Sequence, residues 1–291
     1  MAPAPPRIAH RYVDQAPLGR GGMGEVRRVL DERLERPVAM KILHAGFEAS
    51  DEARALFLAE ARLTAGLQHP GVVSVHDLGE LPDGRLWFTM AEIQGRTLAV
   101  ALASGDLPLR RAVDLLARVA VVLAYAHARQ VVHLDVKPSN IMLGPFGEVY
   151  LVDWGISTLV RRQGQVVGSP AYMAPEQARA APTSPATDVY ALGLVLRELL
   201  TGQPAAEGTV SELVARAAEG PPAPLPALPL DQAELGELVH HMLAEAPADR
   251  PAAREVVARL EAWLDGARNL ERARRLVQDA ADMTPLLQEK R

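Results

Sequence analysis

The sequence contains no cysteine, which excludes disulfides, thiolate metal sites and thiol catalysis. Basic excess is absent too. The 31 Lys and Arg stand against 36 Asp and Glu, and a net charge of −5 argues against a nucleic-acid binder. Long apolar runs are also missing. The most apolar helix-like stretch, Val119 to Ala126, is closed off by Arg118 and His127 and is too short to span a bilayer. The N-terminus, Met1 to Pro6, is rich in Ala and Pro and lacks the apolar centre of a secretory signal. The expectation is a cytoplasmic protein with no membrane segment in this chain and no nucleic-acid partner.

Two residue types are scarce in a way that points inward. The only lysines are Lys41, Lys137 and Lys290, so 31 − 3 = 28 of the basic residues are Arg. The only asparagines are Asn140 and Asn269. Arg is a planar fork, whereas Lys is a compact point charge suited to sitting among phosphate oxygens. A chain that favours Arg this strongly keeps Lys at particular places. The rest of the composition is that of an ordinary globular protein, with 48% hydrophobic and 23% charged residues. Its 291 residues suit one large or two modest domains.

The stretch from Val131 to Asn140 places an acid, a base and an amide along a short turn between apolar runs. Asp135 could orient a hydroxyl, Lys137 could neutralise a phosphate and the Asn140 amide oxygen could hold a metal ion. Upstream, two strand-like pieces between Tyr12 and Leu30 flank Leu18-Gly19-Arg20-Gly21-Gly22-Met23-Gly24-Glu25-Val26. Glycines there let backbone N–H groups approach phosphate oxygens closely. Strand rather than a long helix follows, which counts against a dinucleotide-binding unit, and no Gly-Lys-Ser/Thr follows, which excludes a Walker loop. Pro37 to Leu43 reads as a strand with a single charge, Lys41, which needs a partner. A helix from about Asp51 to Leu67, with Leu56, Leu63 and Leu67 on one side, offers Glu60. Val72 to Val75 and Leu86 to Met90 read as further strands around a turn at Pro82-Asp83-Gly84. Residues 1–11 read as a disordered lead-in.

From Leu98 the character turns helical. Leu109 to Arg129 carries Val113, Leu116, Ala120, Leu123 and Ala124 at helical spacing, and His127 at its end reads as packed rather than catalytic. Ile141 to Leu143 and Val149 to Val152 form a small hairpin that leads into Asp153-Trp154-Gly155, a carboxylate leaving a buried strand toward a metal-binding turn. Gly168 to Glu176 follows, then an apolar helix from Thr187 to Leu200 with Asp188 in its first turn and Gly202 just past its end. Short helices and Pro-rich loops such as Pro221 to Pro229 complete the chain to Leu264. Gly266 to Gln278, with Leu270, Ala273, Leu276 and Val277 on one side, reads either as a lightly packed helix or as a linker.

In this order the motifs resemble those of a bacterial eukaryotic-like (Hanks-type) serine/threonine protein kinase, over about Tyr12 to Leu264. Leu18 to Val26 resembles the Gly-rich loop, Val38-Ala39-Met40-Lys41 the V-A-I-K strand and Glu60 its αC glutamate. His133-Leu134-Asp135 to Asn140 resembles H-R-D-x-x-x-x-N, Asp153-Trp154-Gly155 resembles D-F-G, and Ala174-Pro175-Glu176 is A-P-E. Asp188 and Arg250 sit where the family places its buried large-lobe Asp and the Arg that pairs with the A-P-E glutamate. The resemblance implies an α+β, two-lobed fold: a small five-stranded antiparallel sheet plus one helix (12–94) over a mainly helical large lobe (95–264), with 265–291 as a C-terminal extension.

It implies further that ATP lies between the lobes, under Leu18, Gly19, Gly21, Gly22, Gly24, Val26 and Ala39. Met90 would guard the back of the adenine pocket, and Ala91, Glu92 and Ile93 would form the hinge. Lys41, held by Glu60, would grip the α- and β-phosphates, and Asn140 and Asp153 would carry Mg²⁺, with Mn²⁺ as an alternative. Asp135 would act on the substrate hydroxyl and Lys137 would neutralise the phosphoryl group in flight. A Ser/Thr rather than Tyr protein substrate follows from Lys137 two residues after Asp135 and from Ser169 before A-P-E, and self-phosphorylation is open to such an enzyme. Leu134 departs from the pattern: in many relatives an arginine there pairs with a phosphate on the activation segment, so loop phosphorylation is not expected to be the main on-switch. The departure also leaves open a pseudokinase, a nucleotide- or protein-binding scaffold. A small-molecule kinase of the aminoglycoside type fits less well, because the A-P-E segment builds a protein-substrate platform.

Overall fold

The computed structural model describes residues 7–156 and 168–269. Its first part is a fully antiparallel six-stranded sheet. In chain order the strands are β1 (Arg7–Ile8), β2 (Tyr12–Arg20), β3 (Gly24–Asp31), β4 (Arg36–Leu43), β5 (Val75–Glu80) and β6 (Leu86–Met90). In space they run β1-β2-β3-β4-β6-β5. Because side chains alternate across a strand, the register decides which residues share a face. Val26 lies opposite Lys41 and Lys41 opposite Phe88, while Arg28, Ala39 and Met90 line up one pair further along. All six therefore face the same side. On the other side Val29, Val38, Met40, Ile42 and Trp87 form a separate apolar cluster with Tyr12.

The single helix of this part, α1 (Asp51–Gly66), starts where the Ser50 hydroxyl accepts from the Ala53 N–H at 3.2 Å, with Asp51 and Glu52 in the first turn. Its inward face is Ala53, Phe57, Glu60, Ala61 and Thr64, rotated from the expected Leu56, Leu63 and Leu67 stripe, of which Leu67, just past the helix end, is buried in the core. Leu56 and Leu63 are only half-buried. Phe57 fixes this rotation: its ring meets Phe88 at 5.2 Å, and burying it is worth about 1.5–3 kcal/mol. One turn on from Phe57, Glu60 then points where Lys41 points.

Two expectations at the sheet edges are corrected. The lead-in is not disordered over 7–11, because Arg7 and Ile8 pair with Val13 and Tyr12, adding a sixth strand, and Ile8 and Ala9 pack on the Tyr12–Trp87 cluster. Residues 1–6 lie outside the described residues. The strand expected at Val72 to Val75 begins only at Val75. Val72 and Val73 are buried in the preceding turn, where the Val72 N–H donates to the His69 carbonyl and the Gly71 N–H to His69 Nδ1 at 3.0 Å.

The second part is mainly helical. The two-residue strand β7 (Arg96–Thr97) leads into α2 (Leu98–Ser104) and α3 (Leu109–His127). A small hairpin, β8 (Ile141–Leu143) and β9 (Val149–Leu151), pairs with β7. Beyond it lie α4 (Pro175–Ala178), α5 (Pro185–Thr201), α6 (Val210–Glu219) and α7 (Ala233–Met242), followed by a helix over 253–269, here α8. Helix α5 is the hub: every residue from Thr187 to Leu196 is buried, so it is covered on all sides as a core helix is. Pro185 at its first position and Gly202 at φ +65° just past its end set its limits. The expected boundary after Leu264 falls inside α8, whose Ala267 still packs on the core. Leu270, Ala273, Leu276 and Val277 lie outside the described residues.

Candidate active site

The cleft between the two parts collects the residues singled out in the sequence. Lys41 Nζ lies 2.5 Å from Glu60 Oε1 and 3.3 Å from Asp153 Oδ1, with Glu60 buried. Burial works against the ammonium, but the charges of Glu60 and Asp153 outweigh it and hold the Lys41 pKa above its ordinary value. Asp153 shows the reverse balance. Burial pushes its carboxyl up, yet the Lys41 ammonium prevails and keeps it below the usual range, so it is ionised at neutral pH. Gly155 makes this approach possible, since a β-carbon there would stand 2.5 Å from a Glu60 carboxylate oxygen.

The glycines of the β2–β3 turn divide by role. A β-carbon at Gly24 would meet the Ile42 carbonyl oxygen at 2.5 Å, so this glycine serves strand packing. Gly19 and Gly22 face open space, and Gly21 is met only by the Gly24 oxygen at 3.7 Å. Room is therefore left for a ligand at those three. Leu18 is exposed at the mouth. Val26, Ala39 and Met90 share the cleft-facing side of the sheet with Lys41. At the connection to the second part, the Ala91 N–H donates to the Ser74 carbonyl at 2.9 Å. The Glu92 carboxylate is taken by the Arg28 guanidinium in a forked pair, so only its backbone remains to meet a base. Glu92 and Ile93 also border a cavity of about 580 Å³ lined by His69, Val72, Ser74 and Tyr150 among others.

Below the cleft the loop after α3 is held from within. Its anchor is Asp188 in the first turn of α5, fully buried, whose carboxylate accepts from the His133 N–H (2.8 Å), the Leu134 N–H (2.7 Å) and His127 Nε2 (2.8 Å). His127 is thus a packed partner of Asp188, in line with the sequence reading. His133 Nδ1 accepts from the Asp135 N–H, which leaves the proton on Nε2 to meet the Val152 carbonyl at 3.1 Å. The His133 ring stands edge-on to the buried Trp154 at 4.6 Å, and the indole N–H donates to the Leu151 carbonyl. This bond is unavailable to a phenylalanine.

Asp135 ends this scaffold. One carboxylate oxygen accepts from the Ser169 N–H at 2.8 Å, and the other from Asn140 Nδ2 at 3.0 Å with Lys137 Nζ at 2.8 Å. Lys137 Nζ also reaches the Ser169 hydroxyl at 2.5 Å. Asn140 spends its amide protons on Asp135, on the carbonyl at 2.9 Å and on the carboxylate, leaving its oxygen as an acceptor for a cation. Among the described residues no group of three or more His, Cys, Asp or Glu is placed to hold a metal alone. A site with one carboxylate and one amide oxygen suits a hard cation that keeps water and phosphate oxygens as its other ligands.

The structure joins Lys41, Glu60 and Asp153 in one set of contacts and Asp135, Lys137, Asn140 and Ser169 in another, and it adds Arg28 and Gln177, which the sequence reading did not single out. Alternation from Val26 places Arg28 on the cleft face, a signal the sequence held. Ser157, Thr158, Arg161 and Arg162 lie outside the described residues.

The sheet carries an ion-paired lysine into a cleft, above a loop whose acid is held by a lysine and an amide. The chain belongs to the protein kinase domain family, which matches residues 12–260. It is 40% identical over 255 residues to the serine/threonine-protein kinase PknA of Mycobacterium tuberculosis, covering 84% of this chain and 58% of that protein. To PrkC of Bacillus subtilis it is 38% identical over 203 residues, 68% of this chain and 31% of the relative. Among solved structures it is similar to the PknI kinase domain of Mycobacterium tuberculosis, with a TM-score of 0.68 and 30% identity over 90% of this chain and 100% of that one. The family uses ATP and a divalent metal ion. The chain spans little more than half the length of the first of these curated relatives.

Proposed function

We propose that the chain transfers the γ-phosphoryl group of ATP, with Mg²⁺ or alternatively Mn²⁺, to serine or threonine hydroxyls of a protein, itself included. The carrying observation is the contact set of Asp135, Lys137 and Ser169, which fixes one carboxylate and one ammonium beside a hydroxyl. MgATP supplies the phosphoryl group and much of the charge neutralisation. Residues 12–94 would hold the nucleotide and 95–264 the acceptor. Lys41, kept charged and aimed by Glu60, would meet α- and β-phosphate oxygens. Asn140 and Asp153 would hold the metal. The second Asp135 oxygen would orient the hydroxyl and take its proton, and Lys137 would offset the charge that builds on the phosphoryl oxygens. Phosphoryl transfer asks little more of a protein than such positioning and electrostatics. The complete set of charged groups speaks for turnover rather than for a binding scaffold. Among the described residues no helix is long and apolar enough to cross a membrane, and an ATP-rich compartment such as the cytoplasm suits the reaction.

The test is labelled phosphate transfer from ATP to the chain and to a basic acceptor protein. Label on Ser or Thr supports the reading, whereas nucleotide binding with no transfer under Mg²⁺ or Mn²⁺ overturns it. Leu134 adds a second expectation. Its side chain offers no charge to a phosphate, and its N–H is already tied to Asp188, so activity should not depend on phosphate at Ser157 or Thr158. Ser157→Ala and Thr158→Ala should each keep kcat within about threefold, since no charge-assisted bond is lost, whereas Ser169→Ala should lose about 10- to 100-fold with its hydrogen bond to Lys137. Steady-state kinetics of the three variants decides it. A large loss at Ser157 or Thr158 restored only by phosphorylation would reverse the conclusion.

A further inference from the structure

Leu134 has a backbone φ of +65°, a conformation unfavourable for a side chain with a β-carbon and sustained only where the surroundings impose it. Both of its backbone polar groups are held by side chains. Asp188 takes the N–H at 2.7 Å, and the Gln177 side-chain amide donates to the carbonyl at 3.0 Å. Gln177 is buried in α4, and its amide oxygen accepts from the Ala174 N–H at 3.1 Å. One side chain therefore joins the residue directly before Asp135 to the segment that carries Ser169. Gly168 makes room for the joint. It has φ +112°, and a β-carbon there would stand 2.7 Å from the Leu134 oxygen and 3.0 Å from Gln177 Nε2.

The consequence follows from the geometry of Asp135. Its carboxylate receives the Ser169 N–H on one side and Lys137 with Asn140 on the other. Rotating the peptide between Leu134 and Asp135 would move that carboxylate relative to both sets of donors. The Leu134 carbonyl belongs to that peptide, so whatever grips it aims Asp135. Asp188 reaches the two peptides before it, through the His133 and Leu134 N–H groups. The N–H of the Leu134–Asp135 peptide is held within the loop by His133 Nδ1, and its carbonyl is gripped from the segment that carries Ser169, by Gln177.

We propose that Gln177 is a positioning residue of the phosphoryl-transfer site. It fixes the Leu134–Asp135 peptide and keeps the acid in register with the 168–174 segment by hydrogen bonds that need no phosphate. This rests on the kinase reading above. Gln177 touches neither Lys41 nor Asp153, so its loss acts on the acid and the acceptor segment and leaves the nucleotide side of the cleft as it is.

The variants are Gln177→Met, which keeps the volume and removes the side-chain hydrogen bonds, and Gln177→Glu, which keeps an acceptor for the Ala174 N–H and removes the donor to Leu134. Three quantities are read on the full chain: kcat with KM for ATP, nucleotide affinity with a fluorescent ATP analogue, and amide hydrogen exchange of the 131–137 segment. Both variants should lose about 30- to 100-fold in kcat, the scale of a misplacement near 1 Å, with KM for ATP and analogue affinity within about twofold. Exchange in 131–137 should quicken by about tenfold while the core of α5 stays protected. A kcat within about threefold of wild type in both variants, or unchanged exchange in 131–137, overturns the proposal. So does a loss of nucleotide-binding capacity in proportion to activity, which would mark a general folding defect. Hydrogen exchange separates this failure from that of the kinase reading: an inactive wild type whose 131–137 segment still loosens in Gln177→Met defeats only the latter.

Discussion

Asp135→Asn is expected to lower kcat by about 10²- to 10⁴-fold while nucleotide affinity stays within about twofold. The acid meets donors on both sides, the Ser169 N–H on one oxygen and Asn140 Nδ2 with Lys137 Nζ on the other. An asparagine has one acceptor and one donor end, so either orientation sets its NH₂ against a donor. The change thus removes the proton acceptor and disturbs the scaffold around it. Lys41, Glu60 and Asp153 are untouched, because their contacts run among themselves. Rapid-quench measurement of the first turnover separates the chemical step from product release. A variant that keeps more than about a tenth of the wild-type rate in that first turnover would show that Asp135 does not take the proton.

The same contacts show which parts of the site the sequence made legible. Lys41 was readable because an apolar strand with one charge demands a counter-ion, and Glu60 was the candidate that a neighbouring helix offered. The rotation of α1 was not, because three leucines made a plausible stripe and only the Phe57–Phe88 contact across the sheet decides between faces. Strand β1 escaped because two residues carry no periodicity, and its pairing depends on Tyr12 being part of a hairpin. Arg28 pairs with an acid 64 residues away in sequence, so alternation could place it in the cleft but could not name its partner. Gln177 was the least legible, since its partners are backbone groups, and backbone groups leave no trace in a sequence. The positive φ values of Leu134 and Asp153 belong to the same category. They are imposed by Asp188, Gln177 and the surrounding core against the intrinsic preference of those residues.

Arg250→Ala is expected to cost about 3–5 kcal/mol of stability, the scale of a broken buried ion pair. Its guanidinium forks onto Glu176 at 2.7 and 2.9 Å, and its other donors reach the carbonyls of Ala244, Ala186 and Glu245 at 2.7, 3.1 and 2.9 Å. All five N–H groups of the fork are thereby used. The group also lies over the Tyr190 ring at 4.7 Å. Arg250→Lys should therefore recover little of the loss, because a point charge cannot fill a five-donor socket. In a domain of this size the melting temperature should fall by about 6–20 °C. Replacing Arg250 and Glu176 together by Met should cost less than the two single changes added, since neither charge is then left alone. Additive losses, or full recovery with lysine, would show the pair to be dispensable. The pH dependence supplies an independent reading. Burial pushes the Glu176 carboxyl up, but the Arg250 hydrogen bonds outweigh it and hold the folded pKa below the ordinary 4.5. A depressed folded pKa stabilises the protein above the unfolded value, so this contribution is complete at neutral pH. It is lost as the pH falls below 4.5 and through the lower folded value. Denaturant titrations of wild type and Glu176→Gln across that window should converge as the pH drops, because the variant has no proton to take up.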